Sequence, residues 1–389
     1  MKYLQLTTLY SGMLNELFDH SLNNNLIDPV IIKNEIKNSF IESHRWPYYL
    51  PKRNFQIENF IVNDYFLQKH WCKSNGINIK NKTNWYFDII VEQINFYKPD
   101  ILFLSSEALL SGSQVKFLKN NFSFIRKIIL WTGVLNSLNN NDLIKNVDEV
   151  FTSSKNIYDK LKLVKKVQLI YFAFDKSILK HIKDVKKKHE IIFLGNIFLE
   201  RELHGIRSEI LNYLAKNHKI DFFSNLKNYS FKNFFKNFVY KLFKLSEYKN
   251  FNFFKEINFY NNLYKLKKIN LSNNLYGLKQ FEKLNQYWMI LNTHANNINY
   301  SSNIRLFEAT GVGSCLFTEN SENISDLFEV NEEIITYENK EDLNEKINYF
   351  KRNTSELEKI GKNAQKKVLK KHIFEERILE FESKIKNDI

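Results

Sequence analysis

Short, nearly unbroken apolar runs recur along the first half of the chain: YLQLTT (3–8), DILFLSS (100–106), KIILWTG (127–133), DEVFTSS (148–154) and VQLIYFAF (167–174). A strand with one wet face alternates apolar and polar residues, whereas a parallel strand covered on both faces is apolar throughout. Longer segments with helical periodicity separate several of these runs, TNWYFDIIVEQINFYK (83–98) ahead of DILFLSS for one. Strand, helix, strand at this spacing requires parallel strands with helices packed on both sheet faces, the α/β class.

From Lys176 to Lys188 the sequence turns polar, KSILKHIKDVKKK, and reads as a linker. The alternation then restarts. HEIIFLGN (189–196) is a strand ending at Gly195, RELHGIRSEILNYLAKN (201–217) a helix and KIDFFSN (219–225) a second strand. WMILNTH (288–294), SCLFTE (314–319) and EEIITYE (332–338) complete the strands. NIRLFEAT (303–310) and DLNEKINYFKRN (342–353) read as helices, followed by a charged helical tail to Ile389. At 389 residues the chain exceeds what one hydrophobic core organises. Two α/β units in tandem, with a cleft between them, are the expected architecture.

Charge and motif content narrow the function class. Between positions 226 and 270 ten Lys stand against Glu247 and Glu256, a net of +8 out of a formal +14 for the whole chain. A uniformly basic nucleic-acid binder would spread that excess, so no nucleic-acid partner is expected. Cys72 and Cys315 belong to no metal-type pair, and a reducing cytoplasm is the simpler setting. The start, MKYLQLTTLYSGMLNELFDH, has acidic residues by position 16 and lacks the apolar core of a signal peptide. No window approaches the roughly eighteen apolar residues of a membrane span. The expected location is cytoplasmic. D-x-D, G-x-x-x-x-G-K-[ST] and H-E-x-x-H are all absent. The sequence therefore supports neither a metal clamp nor a P-loop, and no metal or cofactor is expected.

One stretch carries chemistry: SSNIRLFEATGVGSCLFTEN, 301–320, which holds two of the ten glycines in the chain. Ser302 or Asn303 can cap a helix by accepting a backbone N–H. Arg305 and Glu308, three apart, share one face of that helix. Gly311 ends the helix and Gly313 lets the backbone turn into SCLFTE. This sets a guanidinium and a carboxylate beside the carboxyl end of WMILNTH, where open α/β sheets hold ligands. A carboxylate there can accept both hydroxyls of a ribose, and a guanidinium can grip diphosphate oxygens. Taken alone, the pair also fits an ordinary surface ion pair ahead of a helix stop.

The segment NIRLFEATGVGSCLFTENSENISDLFEVNEEIITYENKEDLNEKINYF, with KKVLKKHIFEERILEF after it, resembles the C-terminal half of the CgeB-like, spore-maturation-type glycosyltransferases of the glycosyltransferase group 1 superfamily. That family's pattern runs N-x-R-x-F-E-A, Gly, a strand ending in Thr, an acidic LF helix, E(I/V)xxY, and a last helix entered by His and carrying Arg. Upstream, FLGNIFLER resembles the family's strand–Gly–loop–Arg. The resemblance implies a GT-B fold: two Rossmann-like domains with parallel sheets facing across a cleft, the second holding a nucleotide-sugar donor. Residues 1–180 would form the acceptor-side domain. Residues 181–372 would form the donor domain, with a basic aromatic insertion at about 226–270, and a final helix at about 373–389 would pack back on the first domain. The implied activity is transfer of a sugar from a nucleotide-diphosphate donor to a glycan, lipid-linked or protein acceptor, without a metal. The contrasting expectation is a GT-B-like protein that binds a nucleotide or glycan without turnover. Glu308 would take the ribose, Arg305 a phosphate or a bracing role, and Arg201, after the Gly195 turn, a second diphosphate contact. Asn292 and His294 would line the sugar pocket, and Asn303 belongs with this donor-binding set. Many retaining relatives carry a further Glu eight residues before the Glu308 position; here it is Tyr300.

Three further features allow two readings each. His294 closes a buried strand, as a hydrogen-bonded structural residue or as a catalytic group. In YSGMLNE (10–16), Gly12 suits a flexible acceptor-side loop, and Glu16 or Asp19 could act as a base or simply face solvent. FKNFFKNFVYKLFKL (231–245) gathers Phe231, Phe234, Phe235, Phe238, Leu242 and Leu245 on one helical arc with lysines outside it. Such a stripe packs onto a sheet, or docks on the inner face of a membrane with anionic headgroups.

Overall fold

Each apolar run of the first half becomes a strand. In the computed structural model, β1 (Lys2–Thr7), β2 (Gln56–Ile61), β3 (Ile101–Leu104), β4 (Lys127–Trp131), β5 (Glu149–Thr152) and β6 (Val167–Leu169) form one sheet in the order β2-β1-β3-β4-β5-β6. All its pairs are parallel. The structure describes residues 1–15, 29–78, 85–133, 141–196, 205–225, 270–294 and 300–387. They divide into two units, Met1–Lys176 with Ser302–Ile304 and Lys371–Ile389, and Ser177–Ser301 with Arg305–Lys370.

The first sheet is buried on both faces, which explains its unbroken apolar runs. Leu4, Leu102, Leu104, Ile128 and Leu130 point to one face, beneath a layer of helices. Tyr3, Ile101, Phe103, Ile129 and Trp131, the alternate residues of the same strands, point to the other. Helices on the first of these faces and its flanks include α1 (Tyr65–Ser74), α2 (Trp85–Tyr97), α3 (Gly112–Asn121) and α4 (Lys155–Leu161). Their starts follow local capping chemistry: Asp64 accepts from Leu67 N–H, Ser154 from Ile157 N–H, and Ser111 forms a capping box with Gln114. β2 is an edge strand, paired with β1 alone, and its sequence QIENFI carries polar residues because only its last two residues are fully buried.

The second unit repeats the design. β7 (Lys188–Leu194), β8 (Ile220–Phe223), β9 (Asn270–Ser272), β10 (Tyr287–Leu291), β11 (Cys315–Glu319) and β12 (Ile335–Tyr337) lie parallel in the order β12-β11-β10-β7-β8-β9. Its longer helices are α5 (Gly205–Asn217), α6 (Gly277–Leu284), α7 (Arg305–Gly311), α8 (Lys340–Arg352) and α9 (Thr354–Lys371). The polar stretch at 176–188 opens with a 3-10 turn, Lys176–Lys180, in which Ile178 is buried. The last helix, α10 (Phe374–Lys386), belongs to the first unit. Phe374, Ile378, Phe381 and Ile385 bury its apolar stripe against the aromatic sheet face, where Trp46 stacks on Phe381 with ring centroids 4.2 Å apart. Lys127 Nζ, ion-paired with the buried Glu149 at 2.7 Å, also donates to the Asn387 carbonyl at 2.8 Å and so caps the end of α10.

Both orders are doubly wound. Chain direction across the sheet reverses between β1 and β3 in the first unit and between β7 and β10 in the second. A crevice opens at such a reversal, outside the carboxyl ends of the two strands, because their following connections leave to opposite faces.

Candidate functional site

At the second unit's reversal, β7 ends in Leu194 and gives way to Gly195. The Gly195 N–H donates to the Phe223 carbonyl at 3.0 Å, which ties the end of β7 to that of β8. A Cβ at 195 would lie 3.0 Å from the Phe193 ring, so a side chain there would crowd the turn. Across the reversal β10 runs into Asn292, Thr293 and His294, all buried. Asn292 continues the ladder through its N–H to the Phe317 carbonyl, and its side-chain amide donates to Thr318 Oγ1 at 2.9 Å. Its carbonyl accepts from the Tyr337 hydroxyl at 2.9 Å.

α7 brings the charged pair to the same place. Arg305 Nη1 lies 2.7 Å from Glu308 Oε2, with the two side chains only 14% and 10% exposed. This is a half-dry ion pair. Arg305 Nη2 also donates to the Leu194 carbonyl at 3.2 Å, the last carbonyl of β7. Gln280, on α6, donates to Glu308 Oε1 at 3.0 Å. The helix ends at Gly311, and Gly313 adopts φ +78°, a left-handed conformation that disfavours any side chain. The two glycines therefore fold the chain back at once into β11. Asn303, half-buried, sits two residues before Arg305 in the Ser302–Ile304 stretch of the first unit.

Arg207, within α5, was not singled out by sequence reasoning. Its guanidinium donates to Thr293 Oγ1 at 2.8 Å, to the Thr293 carbonyl at 2.6 Å and to the Asn196 carbonyl at 2.7 Å. One side chain thus staples the ends of β7 and β10 together. Burial pulls its pKa down to about 10, which leaves it charged at neutral pH. The available signal was position: Arg207 stands three and four residues before Ile210 and Leu211, both buried, so a charge falls on the apolar face of α5.

These contacts fix what the strand ends look like; likeness to other proteins fixes what fold they belong to. Residues 236–383 match the family model described as glycosyl transferase-like. No curated protein matches the sequence. A glycosyltransferase from Rickettsia africae is similar over 100% of this chain and 99% of its own, at 15% identity and a TM-score of 0.55. Sucrose-phosphate synthase from Thermosynechococcus elongatus matches over 99% of this chain and 98% of its own, at 9% identity and a TM-score of 0.58. An Anabaena protein, Alr3699/HepE, solved in complex with UDP-glucose, matches over 99% and 100% at 12% identity and a TM-score of 0.57. The fold is GT-B.

Within this GT-B chain the matched segment contains Asn292, His294, Asn303, Arg305 and Glu308, while Gly195 and Arg207 lie upstream of it. His294 is held on both sides. Its N–H donates to Glu319 Oε2, and its Nε2 lies 3.1 Å from Ser301 Oγ and 3.8 Å from Glu319 Oε2. Burial, reinforced by Arg207, lowers the His294 pKa to about 4, so the ring is neutral at physiological pH. Burial raises Glu319 to about 7. Ser301 is fixed in turn by Asn323, which accepts its N–H at 2.6 Å and donates to its carbonyl at 2.7 Å. The approach to α7 is therefore strapped down before the helix begins.

The remaining sequence candidates are dispersed. Glu16, Arg201 and the 231–245 stripe lie outside the described residues, as does the 226–270 insertion apart from Asn270, which opens β9. The stretch read as a loop around Gly12 is instead helical over 11–15. Met13 and Leu14 N–H groups both bond the Tyr10 carbonyl, and Leu14 is buried, which winds the turn and anchors it.

Proposed function

We propose that this protein is a glycosyltransferase of the CgeB-like kind, moving a sugar from a nucleotide-diphosphate-sugar donor to a glycan, lipid-linked sugar or protein acceptor. The observation that carries the reading is the Arg305–Glu308 pair docked on the last carbonyl of β7 at the β7/β10 reversal. The glycosyl transferase-like match over 236–383 and the UDP-glucose bound to the Anabaena GT-B protein support it.

In this reading Glu308 accepts the ribose hydroxyls by exchanging its Gln280 contact for the ligand, at little cost because one hydrogen bond replaces another. Arg305 stays on Leu194 and balances the carboxylate, or turns one N–H toward the diphosphate. Gly195 lets the protein backbone at the end of β7 approach the diphosphate closely, and Arg201 supplies further positive charge to the departing diphosphate. No metal is required where fixed cationic donors do that work. The proposed catalytic residues are His294, neutral at physiological pH, and Glu16. Asn292 and Asn303 finish the donor side. The protein would work in the cytoplasm, where its 231–245 stripe could bring it to lipid-linked acceptors on the inner membrane face.

A thermal-shift panel of UDP, GDP, CMP and their sugars tests the donor site. One nucleotide should raise the melting temperature of the wild type and leave Glu308→Ala unmoved; no response to any of them would remove the reading. Tyr300, standing where many retaining relatives carry a second Glu, favours one other reading, a protein that binds the nucleotide without turnover. Release or transfer of the cognate sugar on prolonged incubation excludes that version.

A further inference from the structure

We propose that the turn after α4 in the first unit is a docking point for an anionic lipid surface, independently of whether the second unit transfers sugars. The turn carries Leu163 and Val164, 82% and 76% exposed, more than any other large apolar side chain among the described residues. Single exposed apolar residues are ordinary; two adjacent ones at the tip of an ordered turn are not. The turn is built rather than frayed. Val164 and Lys165 N–H groups both donate to the Leu161 carbonyl at 2.9 Å, and Leu161 itself is buried.

The surrounding charge complements a negatively charged partner. From Lys155 to Lys166 five lysines (155, 160, 162, 165 and 166) stand against one acid, Asp159, for a net of +4. Lys160, Lys162 and Lys166 are exposed on either side of the apolar tip. Lys165 Nζ donates to the carbonyls of Lys145 and Val147, which braces the turn against the neighbouring segment. An aliphatic tip ringed by lysines is the combination that enters the headgroup boundary: apolar burial among the chains, ammonium groups among the phosphates. Nucleic acid fits less well, because base stacking needs an open aromatic face. The ring of Tyr158 is already flanked by Lys155 and Lys162 at 5.4 and 5.5 Å. No described helix is long and apolar enough to cross a membrane, so contact here would be peripheral.

The test uses the full chain and sedimentation with vesicles of phosphatidylcholine, alone or mixed with phosphatidylglycerol. The wild type should bind the mixed vesicles, leave them at high salt and ignore the neutral ones. Leu163→Asp with Val164→Asp should lower the bound fraction about ten-fold or more with an unchanged thermal melt. A second variant reads the contact locally. Cys72 and Cys315 are buried, so Leu163→Cys offers one accessible thiol for an environment-sensitive dye. Its emission should shift to shorter wavelength with the mixed vesicles. The proposal is overturned by equal uptake on neutral vesicles, by no uptake, by a double variant that binds like the wild type, by a dye that does not respond, or by retention on RNA in place of vesicles.

Discussion

At the end of β10 two acid–base groups touch and are driven in opposite directions by the same burial. His294 is lowered to about 4 from 6.5, so it contributes stability above its unfolded value that is lost as pH falls through 4. Glu319 is raised to about 7 from 4.5, so its contribution is complete below 4.5 and lost as pH rises through 7. Glu319→Gln keeps an oxygen for the His294 N–H and removes the charge. Thermal melts from pH 5 to 8 should therefore show the wild type losing ground to this variant by roughly 1–3 kcal/mol; a constant gap would mean the carboxyl is not pressed by its surroundings. Gly195, Asn292 and His294 were legible because they lie within three residues of strand ends that the sequence marks clearly, and Arg305 and Glu308 because they stand three apart on a short helix closed by glycines. Glu319, Gln280 and Arg207 were not. Arg207 acquires its bridging role from Thr293, 86 residues further along, and no local pattern announces a partner at that distance.

Among the elements, the inner strands were readable because burial on both faces leaves them no polar alternative. β2 was missed because an edge strand can afford the Gln, Glu and Asn of QIENFI, and β9 because it has three residues at the end of a Lys- and Asn-rich stretch. The helix α7 and the glycines after it were read from sequence, but their packing partner was not. Gly361 in α9 sits so close that a Cβ would meet the Gly313 carbonyl at 2.9 Å and the Cys315 nitrogen at 3.0 Å. In an open helix Gly→Ala stabilises by about 1 kcal/mol. Here Gly361→Ala should destabilise by about 1–3 kcal/mol in a urea melt, because α9 must lift from the turn that sets α7. A gain in stability would show that this contact gives way freely.

For the molecule as a whole, the sequence supplied two doubly wound sheets but not their strand orders, since the order depends on which faces the connecting helices cover. Those orders place one reversal in each unit, and in the second unit the Arg305–Glu308 pair stands at it, on Leu194. A carboxylate that grips ribose must distinguish ribose from deoxyribose, because a site built around a hydroxyl is left with an unpaired acceptor when that hydroxyl is missing. Calorimetric titration with the cognate nucleoside diphosphate and its 2′-deoxy form measures this directly. The wild type should bind the ribose form about ten-fold more tightly or better, and in Glu308→Ala both forms should bind equally weakly. Equal binding of the two forms by the wild type, or a preference that survives in Glu308→Ala, would contradict a nucleotide held by this carboxylate.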